Sequence, residues 1–236
     1  MSNMIVIDSD PAMEARSTEI RNEQLHARRV RIDRMFVWLF LAQYIAGIIA
    51  ALTISPYAWE GKLHTIHLHV WVAVVGGAGI IILPILLAIF RPGTTLTRHV
   101  VAASQMLASA LLIHLTGGRI ETHFHVFGSL AFLAFYLDWT VLITATVIVA
   151  ADHFLRGLFW PESVYGVANP EWWRFLEHAG WVAFEDFFLI WGCIIGQREI
   201  ASSASRQAQF EHLSEMEQLK SAALEMAMAE MQSASA

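Results

Sequence analysis

Eleven histidines are spread unevenly along the 236 residues. His26 and His212 lie in polar terminal stretches, and His99 opens an apolar run. The other eight, His64, His67, His69, His114, His123, His125, His153 and His178, fall at the opposite ends of the apolar runs. Neutral imidazole is the commonest metal ligand among side chains, and its second nitrogen is normally fixed by a carboxylate or a carbonyl. Ionisable groups inside apolar segments are costly and usually functional. These eight histidines, together with Glu185, are therefore the expected ligands of one or two transition-metal ions. Glu121, Asp152, Arg156, Glu177 and Asp186 are expected to support them through hydrogen bonds and charge. Cys193 is the sole cysteine, so a sulfur-rich soft-metal site is excluded and the ligand set suits iron, copper or zinc. The Glu-x-x-His pairs of soluble di-iron bundles are absent from the apolar runs. Haem b held by two histidines is the alternative, but it leaves most of the histidines and buried acids without a role.

Spacing refines this set. His64 and His67 are three apart and share a face if a helix has begun by then. His178 and Glu185 are seven apart, again on one face, with Glu185 and Asp186 about 12 Å along the segment. Asp152 and Arg156 are four apart and are placed to pair with each other. His67/His69 and His123/His125 are H-x-H pairs whose members point to different faces of a regular helix. Both members reach one site only where the backbone is irregular, and Thr116-Gly117-Gly118 permits such a turn.

The elements that carry these residues are membrane helices. The composition is 56% hydrophobic and 15% charged, and the charges crowd into the two ends and the short gaps between apolar runs. That distribution fits a chain whose solvent is lipid. Six spans are expected, over residues 35–55, 67–90, 99–116, 123–137, 140–159 and 177–196, the third and fourth short of the roughly 20 residues a full crossing needs. The fold class is thus all-α: a polytopic membrane protein of about six transmembrane helices, followed by a C-terminal cytoplasmic helix. Three parts are expected: an N-terminal segment over 1–34, a six-helix domain over 35–196, and a signalling helix or short coiled coil over 197–236. The N-terminal segment has no apolar core and is not a signal peptide. Arg28, Arg29, Arg31 and Arg34, then Arg91 and Arg98, then Arg198 and Arg206 all fall on one side if the spans number six, which makes that side and both termini cytoplasmic. The histidine layer then lies at the outer face. Residues 76–79 allow span two a close approach to a neighbour, and Pro84 is expected to kink it. Beyond Gly196 the sequence is rich in Ala, Glu, Gln and Met, and Met216, Leu219, Ala223 and Met226 recur at 3-4-3 spacing as a short homodimeric seam would. No basic stripe with interleaved aromatics indicates nucleic acid.

Residues 112–160, LIHLTGGRIETHFHVFGSLAFLAFYLDWTVLITATVIVAADHFLRGLFW, resemble the His-rich membrane-integral input region of bacterial signalling proteins, as does EHAGWVAFEDFFLI over 177–190. In that family the region precedes chemoreceptor, histidine-kinase or diguanylate-cyclase modules. The resemblance implies a sensor of redox state, a small molecule or a metal, set in the bacterial inner membrane and acting in chemotaxis or related signal transduction. It carries over His114, His123, His125, His153 and His178 as members of the shared motif. No such output module is present in 197–236, so the expected partners are a second copy of the chain and a cytoplasmic output module or protein. The rival classes are a metal-dependent membrane oxidase or hydroxylase, whose H-x-x-x-H and H-x-x-H-H spacings are missing, and a transporter, which needs polar groups through the whole depth of the bilayer. No catalytic residues are assigned.

Overall fold

The computed structural model describes residues 11–234; the first ten residues of the expected N-terminal segment and the last two of the chain lie outside the described residues. The described chain is all-α apart from one hairpin. The elements are α1 (Pro11–Ile54), β1 (Tyr57–Glu60), β2 (Leu63–Ile66), α2 (Leu68–Trp71), a π-helical turn (Val72–Gly76), α3 (Gly77–Phe90), α4 (Thr95–Leu115), α5 (Ile120–Ala134), α6 (Trp139–Phe159), α7 (Glu162–Tyr165) and α8 (Arg174–Ala234). Five helices are long and apolar enough to cross a membrane: α1, the run Leu68–Phe90, α4, α6 and α8. This is an all-α membrane protein. The fourth expected span is α5, whose 15 residues rise only about 22 Å against about 30 Å of hydrocarbon. It is packed against α4 and α6.

The chain divides into two compact units, one of residues 26–196 and one that joins the part of α1 before residue 26 to the part of α8 after residue 196. In the larger unit α4 packs against α3, α5 and α6, and its buried face carries Val101, Gln105, Met106, Ser109 and Ile113. The core around it takes Phe36 and Phe40 from α1, Leu130 and Leu133 from α5, and Val141, Leu142 and Ala145 from α6. Elsewhere large apolar side chains such as Trp38, Ile49, Leu83 and Phe187 point outward, as they do where the surrounding solvent is lipid. Polar groups close the loops that follow α3 and α5. Fully buried Asp33 accepts the Gly93 N–H at 2.6 Å and the Tyr136 O–H at 2.6 Å, and Tyr136 stacks on Phe36 with centroids 5.8 Å apart. Gly93 has φ +76° with the His26 ring against the space a Cβ would fill, so only glycine suits that turn. Thr94 and Asp138 cap α4 and α6 by accepting the N–H groups of Thr97 and Thr140.

In the smaller unit the two helical segments run antiparallel. Ile20, Ala204 and Ala208 are buried together with Met13 against them. Arg16 Nε meets Glu211 at 2.8 Å and Gln24 donates to Gln207 at 3.3 Å; the Arg16 bond holds the Glu211 carboxyl below its ordinary range. The seam expected at Met216, Leu219 and Met226 is a different stripe and stays exposed. Helix in the N-terminal segment was not expected: Met13 and Ile20 give it an apolar side for Ala204 and Ala208 of α8, too sparse a pattern to stand out.

Asp138 also pairs with Arg98 at 2.6 Å and is only 8% exposed. Burial pushes its carboxyl up, but hydrogen bonds from Thr140 and Arg98 outweigh burial and hold it below the usual carboxylate range. Its contribution is therefore present above about pH 4 and lost as the pH falls through its lower folded value. Asp138→Ala removes the cap and strands Arg98, so thermal unfolding in detergent at pH 7 should show a loss of about 3 kcal/mol. The variant should also lose part of the acid sensitivity of the parent below about pH 4.

Candidate functional site

The eight histidines separate into four places. His123 of α5, His153 of α6 and His178 of α8 face one another, with ring centroids 5.5 Å (His123–His153), 5.2 Å (His123–His178) and 6.0 Å (His153–His178) apart. Each ring is held in the same way. His123 Nδ1 meets the Arg119 carbonyl at 2.9 Å, His153 Nδ1 the Val149 carbonyl at 3.1 Å, and His178 Nδ1 the Arg174 carbonyl at 2.9 Å. A carbonyl only accepts, so each Nδ1 carries a proton, which in a neutral ring leaves the lone pair on Nε2. The Nε2 of His123 is buried without a hydrogen-bond partner. His153 Nδ1 also approaches Asp152 at 3.3 Å, while Arg156 binds both oxygens of that carboxylate at 2.7 and 2.5 Å, as the four-residue spacing led us to expect. Among the described residues, no three His, Cys, Asp or Glu side chains stand as a ready-made metal site.

A second group stands where the Leu68–Phe90 run begins and α4 ends. His67–His69 and His69–His114 centroids are 4.4 and 4.8 Å apart, and His114 lies 4.8 Å from Trp160. His67 caps α2, its Nδ1 accepting the His69 N–H at 3.1 Å. Its tautomer is thus opposite to that of the first three rings. His114 Nδ1 meets Ser163 Oγ at 2.9 Å, and the same oxygen accepts from Arg156 at 2.8 Å. A polar chain therefore runs from His153 through Asp152, Arg156 and Ser163 to His114. The turn that allows it depends on Gly118: at φ +72° its Cβ would lie 2.3 Å from the Gly166 nitrogen, so the chain after α4 and the turn after α7 meet backbone to backbone.

The remaining members stand apart. α5 is regular, so His125 points away from His123 and enters a network inside the helices. Gln43 donates to its Nε2 at 3.1 Å, and its Nδ1 meets Ser109 at 2.8 Å, which in turn donates to the Gln105 carbonyl at 3.0 Å. His64 lies on β2 rather than on a helix, against Tyr57 and Trp59. The helix after it starts only at Leu68, so the shared helical face expected for His64 and His67 does not form. Asp186 is buried and accepts the Thr146 hydroxyl, and one oxygen each of Glu185 and Asp186 is buried without a partner. Glu121 is exposed on the first turn of α5. Glu177, also exposed, lines a groove of about 610 Å³ beside the first three rings, with His123, Phe124, Phe127, Tyr165, Arg174, His178 and Trp181. A smaller cavity of about 70 Å³ lies among His123, His153 and His178 on the side toward Thr146.

Ser163, Gln43, Ser109 and Thr146 were not singled out from the sequence. Three of them are polar residues inside apolar runs, which is itself a signal; Ser163 lies in a loop and gave none.

No family model matches the chain, and no solved structure does. The chain is similar to the transducer protein Htr8 of Halobacterium salinarum, 30% identical over 126 residues, which is 51% of this chain and 18% of that protein. The match thus spans less than a fifth of the relative's length.

Arg156 is the one cation hydrogen-bonded to Asp152 among the described residues. Arg156→Gln should destabilise the protein by about 2 kcal/mol, less than a fully buried pair because both side chains keep some exposure. Adding Asp152→Asn should restore part of that loss in a double-mutant cycle of thermal unfolding.

Proposed function

We propose that this chain is the membrane-integral input region of a signal transducer, and that it holds a transition-metal ion through His123, His153 and His178. The observation that carries this reading is the shared tautomer of three facing imidazoles, each with Nδ1–H on a backbone carbonyl and Nε2 left for another partner. Three imidazoles bound through Nε2 to one tetrahedral ion at about 2 Å have centroids about 5 Å apart, so the observed rings need to close by about 1 Å at most. The carbonyls and the Asp152–Arg156 pair supply the surrounding hydrogen bonds that orient metal-bound histidines. Iron, copper and zinc all suit the donors. Haem b has less support, because the cavity among the three rings is far smaller than a macrocycle. His67, His69 and His114 form a second group of rings joined to the first through Ser163 and Arg156, where a second ion or a proton path would act on the first.

The likeness to a transducer protein supports a sensory role, and the long α8 gives it a route. His178 lies near the start of α8, so movement of that ring on binding would act on this helix. In this reading the protein sits in the cytoplasmic membrane with both termini in the cytoplasm. It acts as a homodimer through the exposed stripe at Met216, Leu219, Ala223 and Met226, and it signals to a cytoplasmic output module.

The test is bound metal in protein purified in detergent, measured by mass spectrometry beside a visible spectrum. About one iron, copper or zinc per chain without a Soret band is expected. The H123A/H153A/H178A variant should lose it, while H64A keeps it. Metal retained by the triple variant, or absent from the parent after gentle purification, would sink the proposal.

A further inference from the structure

We infer that the groove beside the three rings binds a small zwitterion with an aromatic side chain, an aromatic amino acid. The inference rests on the sensor reading but not on the metal. Phe127 and Trp181 form apolar aromatic walls to a groove of about 610 Å³, a volume within the usual range for small-molecule sites. Arg174 and Glu177 lie three residues apart in the first turn of α8 and both line it. Oppositely charged residues at that spacing commonly pair, yet no ion pair forms between them, and among the described residues neither side chain makes a hydrogen bond to any other. A guanidinium and a carboxylate left open at one rim suit a ligand that carries a carboxylate and an ammonium on neighbouring atoms. Aromatic walls favour a flat ring over an acyl chain through edge and face contacts. His178 follows directly after the turn that holds both charges, and its ring is fixed to the Arg174 carbonyl. Occupation of the rim therefore bears directly on the ring that faces His123.

The test uses the full chain in lipid nanodiscs of phosphatidylcholine and phosphatidylglycerol, with radiolabelled L-phenylalanine as the probe, before and after chelator treatment. Saturable binding is expected in both states. Benzoate and phenethylamine, each carrying one of the two charges, should compete at least about tenfold more weakly than unlabelled L-phenylalanine, the difference that one charge-assisted contact makes. R174Q and E177Q should each weaken binding by about tenfold or more while leaving the unfolding temperature unchanged. The inference is overturned by absence of saturable binding, by equal competition from benzoate or phenethylamine, by displacement on adding phosphatidylethanolamine, or by variants that bind as the parent does. Loss of metal in H123A/H153A/H178A says nothing against it, and retention of metal there contradicts only the metal reading.

Discussion

A buried imidazole has two nitrogens, and a helix can satisfy only one of them. The backbone of α5, α6 and α8 offers a carbonyl four residues back to each of His123, His153 and His178, and each ring takes it with Nδ1. The other nitrogen is then turned away from its own helix. For His123 it is out of reach of water and lacks a partner, a state that costs about 1–3 kcal/mol. Under the metal reading, a cation held between α5, α6 and α8 would give this nitrogen a partner and draw on the Nε2 of His153 and His178 as well.

The rest of the larger unit serves that meeting. α5 is too short to cross a membrane unaided, and its start is set by the tight turn at Gly117 and Gly118 after α4. The turn at residues 135–138 ends α5 and starts α6, with Arg28 donating to the Phe135 carbonyl at 2.7 Å, Tyr136 bound to Asp33, and Asp138 capping α6. These bonds fix the register of α5 against α6 and so the height at which His123 meets His153. Thr146, bonded to Asp186, joins α6 to α8 in the same way for His178.

The helices were legible because an apolar run of about 20 residues bounded by charge has few other readings. The Asp152–Arg156 pair was legible because four residues is the spacing of one helical face. What composition cannot supply is which helix faces which. All eight histidines fall at one end of the runs, yet His125 is turned into the interior by the 3.6-residue period that turns His123 toward α8. His64 is removed because Tyr57–Glu60 and Leu63–Ile66 pair as a hairpin, a local choice that a short polar loop does not announce. The π-helical turn at Val72–Gly76 was equally silent; Tyr44 of α1 donates to its Val74 carbonyl, a contact between residues 30 apart that only the packed helices create.

The central claim is that His123, His153 and His178 share one ion through Nε2, and X-ray absorption at the metal edge of the purified protein tests it most directly. Three imidazole nitrogens at about 2.0–2.1 Å, with the outer-ring scattering of bound imidazole, are the expected result. A porphyrin signature, a first shell without imidazole, or a shell of three imidazoles that persists after H123A/H153A/H178A would contradict it.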